Sequence, residues 1–455
     1  MSSHSDKNKL TRRSFLARSA GMASALAFPV PLRYASGAFA PDPRERPVLV
    51  VVFLRGGQDP LQTLVPYKDA DYYAMRPTIA IPAKAKNPAE QVIPLTKAWG
   101  LHPSLGSLKA LWDEGCFAPL ICTGSPHPTR SHFDAQDFME YAAPGLRGIR
   151  DGWLNRFLAQ SSGRWGKDSE LRGLAMQNLL PRSLRGEYPV LAVPRGSTKR
   201  TDALLDFFDD LYLDDTPKKP EPSMGAGMQG RQMDPAKRGK KRAKRRDKGM
   251  MERREDPVVA TGRATIQTLR RYREIESRGQ QGSKLRYPTG SLGPRLERIA
   301  KVIKSGEAIE VACADWNGWD HHARQGGLEG RYTQMISHVA DSIGVFLRDL
   351  GPHKKRTLVV TMSEFGRTCR ENGNSGTDHG HGGMMMLCGG PVRGKKVYGA
   401  WPGLQGSELY QGRDLRVSTD FRDVLNEILV RHMQWKTPRD FFPDYRPGRG
   451  PGMLG

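Results

Sequence analysis

The chain has 455 residues, 38% hydrophobic and 26% charged, enough for one large or two modest globular domains with a sizeable core. Five cysteines, widely spaced and odd in number, exclude a disulfide scaffold while leaving room for one bridge, and the lack of any Cys-x-x-Cys pair argues against a structural zinc knuckle. A net charge of +23 raises an anionic partner, but where that charge sits matters more than its sum.

The amino terminus is polar over residues 2–9, carries paired arginines in Thr11-Arg-Arg-Ser-Phe-Leu16, and continues into a moderately apolar run over residues 17–30. That run is too short to span a bilayer, and Gly21, Pro29 and Pro31 would break a helix there. The pattern predicts a twin-arginine export signal over residues 1–40, with cleavage after Ala40. The expected location is therefore periplasmic or at the cell surface, and the twin-arginine translocase is an expected partner. That route carries folded proteins, so a cofactor can be loaded before export. No second run of membrane-spanning length follows, so no transmembrane anchor is expected.

Residues 46–54 form a short apolar run predicting a buried strand, ended by Gly56 and Gly57 in a turn that leads to Asp59. Helical spacing follows over residues 101–112, then a strand over 117–122, a loop to Arg130, and a helix from Ser131 with that serine as N-cap. The bland reading here is that His132 simply caps a buried turn and that Asp134 and Asp137 only favour the helix dipole.

Between residues 218 and 254 stand fourteen Lys/Arg against four Asp/Glu, a net of +10 from 14 minus 4, with no aromatic residue. The composition predicts a disordered basic insertion over residues 216–256 within the domain at 41–455. A sharper reading makes it a polyanion contact, although without aromatics it lacks a stacking platform for single-stranded nucleic acid. Helical patterns return at 258–277 and 332–350, and residues 384–388 read as a core strand. Strands alternating with helices predict an α/β fold with a mostly parallel central sheet and helices on both faces.

Two clusters carry the chemistry. Residues 308–313 predict a strand that delivers Asp315-Trp-Asn-Gly-Trp-Asp-His-His322, where Asp320 and His322 straddle one residue and share a face of an extended segment. Residues 356–361 predict another, followed by Ser363-Glu-Phe-Gly-Arg-Thr368 and, beyond a Gly/Asn-rich stretch, by Asp378-His-Gly-His381. Ligands of open α/β sheets gather beyond the carboxyl ends of such strands. Glu364, Asp378, His379 and His381 then join Asp320 and His322 as candidate ligands. Carboxylate with neutral imidazole suits zinc or a related divalent ion such as manganese, whereas calcium takes mostly oxygens. The bland reading of the same residues is a solvated loop carboxylate and surface turn histidines.

Taken in order, Val51-Val-Phe-Leu-Arg-Gly-Gly-Gln-Asp59, Thr129-Arg-Ser-His-Phe-Asp134, Asp151-Gly-Trp-Leu154, Gly318-Trp-Asp-His-His322 and Ser363-Glu-Phe-Gly-Arg-Thr368 with Asp378-His379 resemble the motif series of an exported bacterial family. This family is labelled domain of unknown function 1501 and grouped with the alkaline phosphatase and sulfatase superfamily. The resemblance implies an alkaline-phosphatase-like fold with one or two metal ions at the strand ends. It implies Asp59 as a ligand after the first strand, Ser131 or secondarily Thr129 as nucleophile, and Arg130 or Arg367 as a clamp on the ester oxygens. The implied activity is hydrolysis of a phosphate or sulfate ester, borne on a small molecule or a polymer. The other reading is a catalytically silent member acting as an extracytoplasmic binding or secretion partner. Ser363-Glu364 departs from the superfamily's Asp-His pair, and no Cys-x-Pro-x-Arg signature supports formylglycine chemistry.

Overall fold

In the computed structural model, residues 41–166, 169, 171–194, 257–278 and 283–455 are described. The export signal expected at 1–40 and the disordered insertion expected at 216–256 lie outside them. The strands are, in chain order, β1 (Val48–Arg55), β2 (Leu64–Val65), β3 (Ile93–Pro94), β4 (Gly100–Leu101), β5 (Phe117–Gly124), β6 (Gly173–Ala175), β7 (Leu191–Ala192), β8 (Val311–Asn317), β9 (Thr357–Met362), β10 (Gly383–Gly389) and β11 (Thr419–Asp420).

Eight of them form one sheet in the order β11-β5-β10-β9-β1-β8-β6-β7, while β2, β4 and β3 make a small antiparallel sheet. All pairings in the large sheet are parallel except the two of β10, which runs antiparallel to both β5 and β9. This is the expected mixed α/β architecture with a large, mostly parallel sheet.

The period-2 geometry of a strand sends alternate side chains to opposite faces. Accordingly Val48, Val50, Val52 and Leu54 enter one core, and Leu49, Val51 and Phe53 the other. The first core is closed by the helices Gly106–Asp113, Gly293–Lys304 and Arg331–Asp349, through Leu108, Ile299 and Val339 among others. The second is closed by Trp153–Gln160 and Phe421–Glu427, through Trp153, Phe157, Phe421 and Leu425. Among the described residues no helix is long and apolar enough to cross a membrane.

Two boundaries differ from expectation. The helix expected from residue 101 begins at Gly106, because Leu101 pairs with Leu64 and Ile93 in the small sheet and His102, preceding Pro103, is biased away from helical dihedrals. The strand expected to end at Cys313 runs on to Asn317, where Asp315, Trp316 and Asn317 pair with Phe53, Leu54 and Arg55. Polarity rises there because the strand has left the core and reached the rim of the sheet.

Candidate metal centre

The carboxyl ends of β1, β5, β8 and β9 lie along one edge of the sheet. Because β10 is antiparallel, its start lies at that same edge, with Gly383 opposite Thr123 at the end of β5. The reversal therefore brings the loop before β10, with Asp378 and His379, to the loops that follow the parallel strands. Gly56, at the end of β1, has φ +125°, and a Cβ there would stand 2.6 Å from the Asp320 backbone nitrogen. Glycine is required for that approach. The Gly56 amide meanwhile donates to Glu364 Oε1 at 2.8 Å, pinning the loop after β9.

Four side chains converge at this edge. His379 Nε2 lies 2.9 Å from His132 Nε2, 3.0 Å from His322 Nε2 and 3.1 Å from Asp320 Oδ1. Asp320 Oδ1 is also 3.0 Å from His322 Nε2, and Asp320 Oδ2 is 3.4 Å from His132 Nε2. His132, Asp320 and His379 thus satisfy the spacing of a metal-binding trio. Donors around a tetrahedral ion at ~2.0–2.1 Å stand roughly 3.3 Å apart. The observed separations fall within a few tenths of an ångström of that value.

The far nitrogen of each ring explains the orientation. His132 Nδ1 meets Glu364 Oε1 at 2.7 Å, His322 Nδ1 meets Asp378 Oδ1 at 2.9 Å, and His379 Nδ1 meets the Arg130 carbonyl at 2.8 Å. Carbonyl and carboxylate oxygens only accept, so in the neutral ring the proton is assigned to Nδ1 and the Nε2 lone pair faces the centre. Metal-ligating histidines carry this outer partner. Three lone pairs and a carboxylate aimed at one another repel unless a proton or a cation lies between them.

The electrostatics set His379 and His132 apart. Burial opposes charge on Glu364, but hydrogen bonds from His132 and Gln136 prevail and hold its carboxyl below the usual range. The hydrogen bond from His322 lowers Asp378 likewise. Burial, reinforced by the nearby His132, lowers His379, whereas the hydrogen bond to Glu364 raises His132. Asp320 lies below its ordinary value although burial opposes it, because the Arg367 guanidinium donates to Oδ1 at 2.6 Å.

The remaining candidates divide clearly. Arg367, 1% exposed, is spent on Asp320, the Gly56 carbonyl and Thr377, so it holds the carboxylate in place rather than facing solvent. Glu364 stands behind His132 rather than in the centre. The structure does not bring Asp59 into the cluster: its oxygens accept from Arg76, Gln325 and the Leu61 and Gln62 amides, at the start of the helix Pro60–Thr63. His381 also stands apart, buried and stacked on Tyr410 at 4.1 Å between ring centroids, with burial pushing it down to about 4. Arg130 pairs with Asp414 at 2.6 Å. The Thr129 hydroxyl accepts from the Ser131 amide, while Ser131 is exposed at the N-cap of the helix His132–Tyr141 and its side chain makes no capping bond.

His132 is the member of the cluster that sequence reasoning did not place among the candidate ligands. Its signal was available: an imidazole just inside a helix that follows a buried strand, in the same motif as Ser131. Gln136, one turn later, donates to Glu364 Oε1 at 2.9 Å and completes that anchor.

An α/β protein with a His/Asp cluster at the strand ends is thus the class that fold and geometry define. Residues 298–439 match the family model described as "Protein of unknown function (DUF1501)", which supports that family for the stretch containing Asp320, His322, Glu364, Asp378 and His379. No curated protein matches the chain.

Proposed function

We propose that the protein is an exported metal-dependent hydrolase of phosphate or sulfate esters, on an alkaline-phosphatase-like fold, that holds one divalent ion, zinc in the first instance, through His132, His322, His379 and Asp320. The observation that carries this is the mutual approach of the His132, His379 and Asp320 donor atoms, with the His132 and His379 rings anchored through Nδ1 on Glu364 and the Arg130 carbonyl and with His322, anchored on Asp378, beside His379 and Asp320. A metal bound there acidifies water or a hydroxyl and polarises an ester oxygen.

The chain's own residues supply the rest. Arg367 fixes Asp320, and Glu364 with Gln136 fixes His132. Ser131, next in sequence to His132 and with its hydroxyl not used in capping, is the better candidate nucleophile, since the Thr129 hydroxyl already accepts from a backbone amide. In-line attack at phosphorus or sulfur by Ser131 Oγ would form the Oγ–P or Oγ–S bond, release the alcohol, and leave an ester on Ser131 for water to cleave. The ion pair of Asp59 with Arg76 occupies the carboxylate a second metal would need, and it favours one ion over two. The same pair is what favours the alternative, a silent binding or secretion partner. The paired arginines at Arg12 and Arg13 support export, and the basic insertion a contact to a polyanion.

Elemental analysis of the purified full chain, alongside turnover of phosphate mono- and diesters and sulfate esters, tests the reading. About one equivalent of metal is expected, lost together with turnover in Asp320→Ala and His379→Ala while the protein stays folded. Equal metal content in wild type and both variants overturns the site; stoichiometric metal with no turnover selects the binding alternative.

A further inference from the structure

A second cavity lies toward the edge of the sheet opposite the metal centre. The helix Phe421–Glu427 starts at β11, beside the end of β5, and runs into a π-turn, Ile428–His432, whose His432 meets Val48 at the start of β1. The loop that follows β10 arrives at the same edge, where the Arg393 amide donates to the Met453 carbonyl. Between these segments and residues 449–454 is a space of about 290 Å³, lined among others by Arg393, Asn426, Glu427, Val430, Arg431 and Arg449. Turns of the π kind are rare and recur at functional sites. This one brings Val430 and Arg431, both exposed, to the cavity.

The lining is arranged around a fixed carboxylate. Glu427, 8% exposed, accepts from the Gly452 amide through Oε2 at 2.7 Å and from the Leu454 amide through Oε1 at 2.8 Å. A Cβ on Gly450 would stand 2.5 Å from Glu427 Oε2, so only glycine lets the chain close over this side chain. Each oxygen keeps one lone pair, and a carboxylate can only accept. The donors around it are unpaired. Among the described residues, no acid is paired with Arg393, Arg431 or Arg449. The neighbouring Asp423 is already engaged, by the Tyr445 hydroxyl at 2.8 Å and the Gly448 amide at 2.7 Å. Asn426 accepts from Thr437 through Oδ1 at 2.6 Å, which assigns its Nδ2 as a remaining donor.

Three guanidinium groups against one carboxylate leave an excess of two positive charges from 3 minus 1. Guanidinium forks match the oxygens of phosphate and sulfate groups. Sulfate has no proton to give Glu427, and a phosphate monoester loses its last proton with a pKa of ~6. Inorganic phosphate keeps one as the hydrogen phosphate dianion. Of the three, it alone offers two negative charges and a donor together above neutral pH.

We propose that this cavity is a binding site for inorganic phosphate, with Arg393, Arg431, Arg449 and Asn426 donating to its oxygens and Glu427 accepting its P–OH proton. It is separate from the metal centre and does not depend on that reading.

The test is isothermal titration calorimetry at pH 8 on the full chain carrying Asp320→Ala, with EDTA present, so that the metal centre does not compete for the anion. The probes are inorganic phosphate, inorganic sulfate and glycerol phosphate. Phosphate is expected to bind tenfold or more tightly than either of the others. Arg431→Gln and Arg449→Gln should each weaken phosphate by roughly tenfold, since a hydrogen bond to a charged group corresponds to about that factor. Both arginines are exposed, so these variants leave the core intact. Glu427→Gln keeps the shape of the side chain and adds a donor, and it should raise sulfate to at least the affinity of phosphate. Equal affinity for phosphate and sulfate in the parent chain overturns the proposal, as do arginine variants that bind as the parent does. Phosphate binding that is present in the wild-type chain and lost in Asp320→Ala assigns the anion to the metal centre and overturns this site.

Discussion

The residues that decide this site do so through their partners. Glu364 touches none of the cluster except His132, yet it sets which nitrogen of that ring carries the proton. Glu364→Gln keeps its shape and removes its charge. Outer-shell substitutions of this kind cost ~10–100-fold in metal affinity. That drop, with a native circular dichroism spectrum, is the expected outcome when the variant is titrated against a chromophoric chelator, and an unchanged affinity would sink the anchoring argument. At Arg367 the reasoning differs, because removing one partner of a buried ion pair strands the other charge. Asp320 is 38% exposed and can recover water, so Arg367→Met should cost less than the ~3–5 kcal/mol of a fully buried pair. Urea denaturation would read that loss, and chelator titration the accompanying fall in metal affinity. The motifs that carry Asp320, His322, Asp378 and His379 were legible in the sequence as residue types beyond apolar runs. The role of His132 was not, because a ring's partners are set by loops far away in the chain. Asp59 was misleading for the same reason: Arg76, whose charge it meets at 2.8 Å, carries no local signal.

At the level of elements, the central strands could be read directly, since β1 up to Leu54, and β5, β9 and β10 throughout, are buried and their apolar runs match their length to within two residues. The short strands β6 and β7 could not, because two or three residues hold no periodicity and owe their form to the neighbouring β8. The turn after β1 is another local device with a distant purpose. Gly56→Ala would place a methyl 2.6 Å from a backbone nitrogen at a dihedral that L side chains rarely adopt. A loss of at least ~1–3 kcal/mol in urea melts is expected, together with weaker metal binding. A variant of wild-type stability would show that the turn is not strained.

His432 tests element packing by pH. It is wholly buried against β1, where its Nε2 lies 2.9 Å from the Val48 carbonyl, and burial pushes it down to about 4 from an unfolded value near 6.5. A depressed base binds more protons unfolded than folded between those values. Its stabilisation is therefore complete above about pH 6.5 and declines as pH falls toward 4. The difference in urea midpoint between wild type and His432→Gln should shrink over that window and stay constant above it. A difference that does not change with pH would mean that the ring is not held neutral.

Seen as a whole, the proposed ligands come from the helix start after β5, the loop after β8 and the loop before β10, so one ion would join chain segments spread over the span β5-β10-β9-β1-β8 of the sheet. A ligand that binds only the folded state stabilises it by ~2.7 kcal/mol at a hundredfold excess over its Kd. Chelation should therefore lower the melting temperature of wild type by a few degrees, since ~1 kcal/mol shifts domains of 150–250 residues by ~2–4 °C and larger ones by less. His379→Ala, which removes the atom that meets His132, His322 and Asp320 alike, should melt at one temperature with or without chelator. Differential scanning calorimetry with and without EDTA reads both. If wild type also ignores the chelator, the three imidazoles share a proton rather than a metal, and the edge of the sheet is a hydrogen-bonded cluster instead of a cation site.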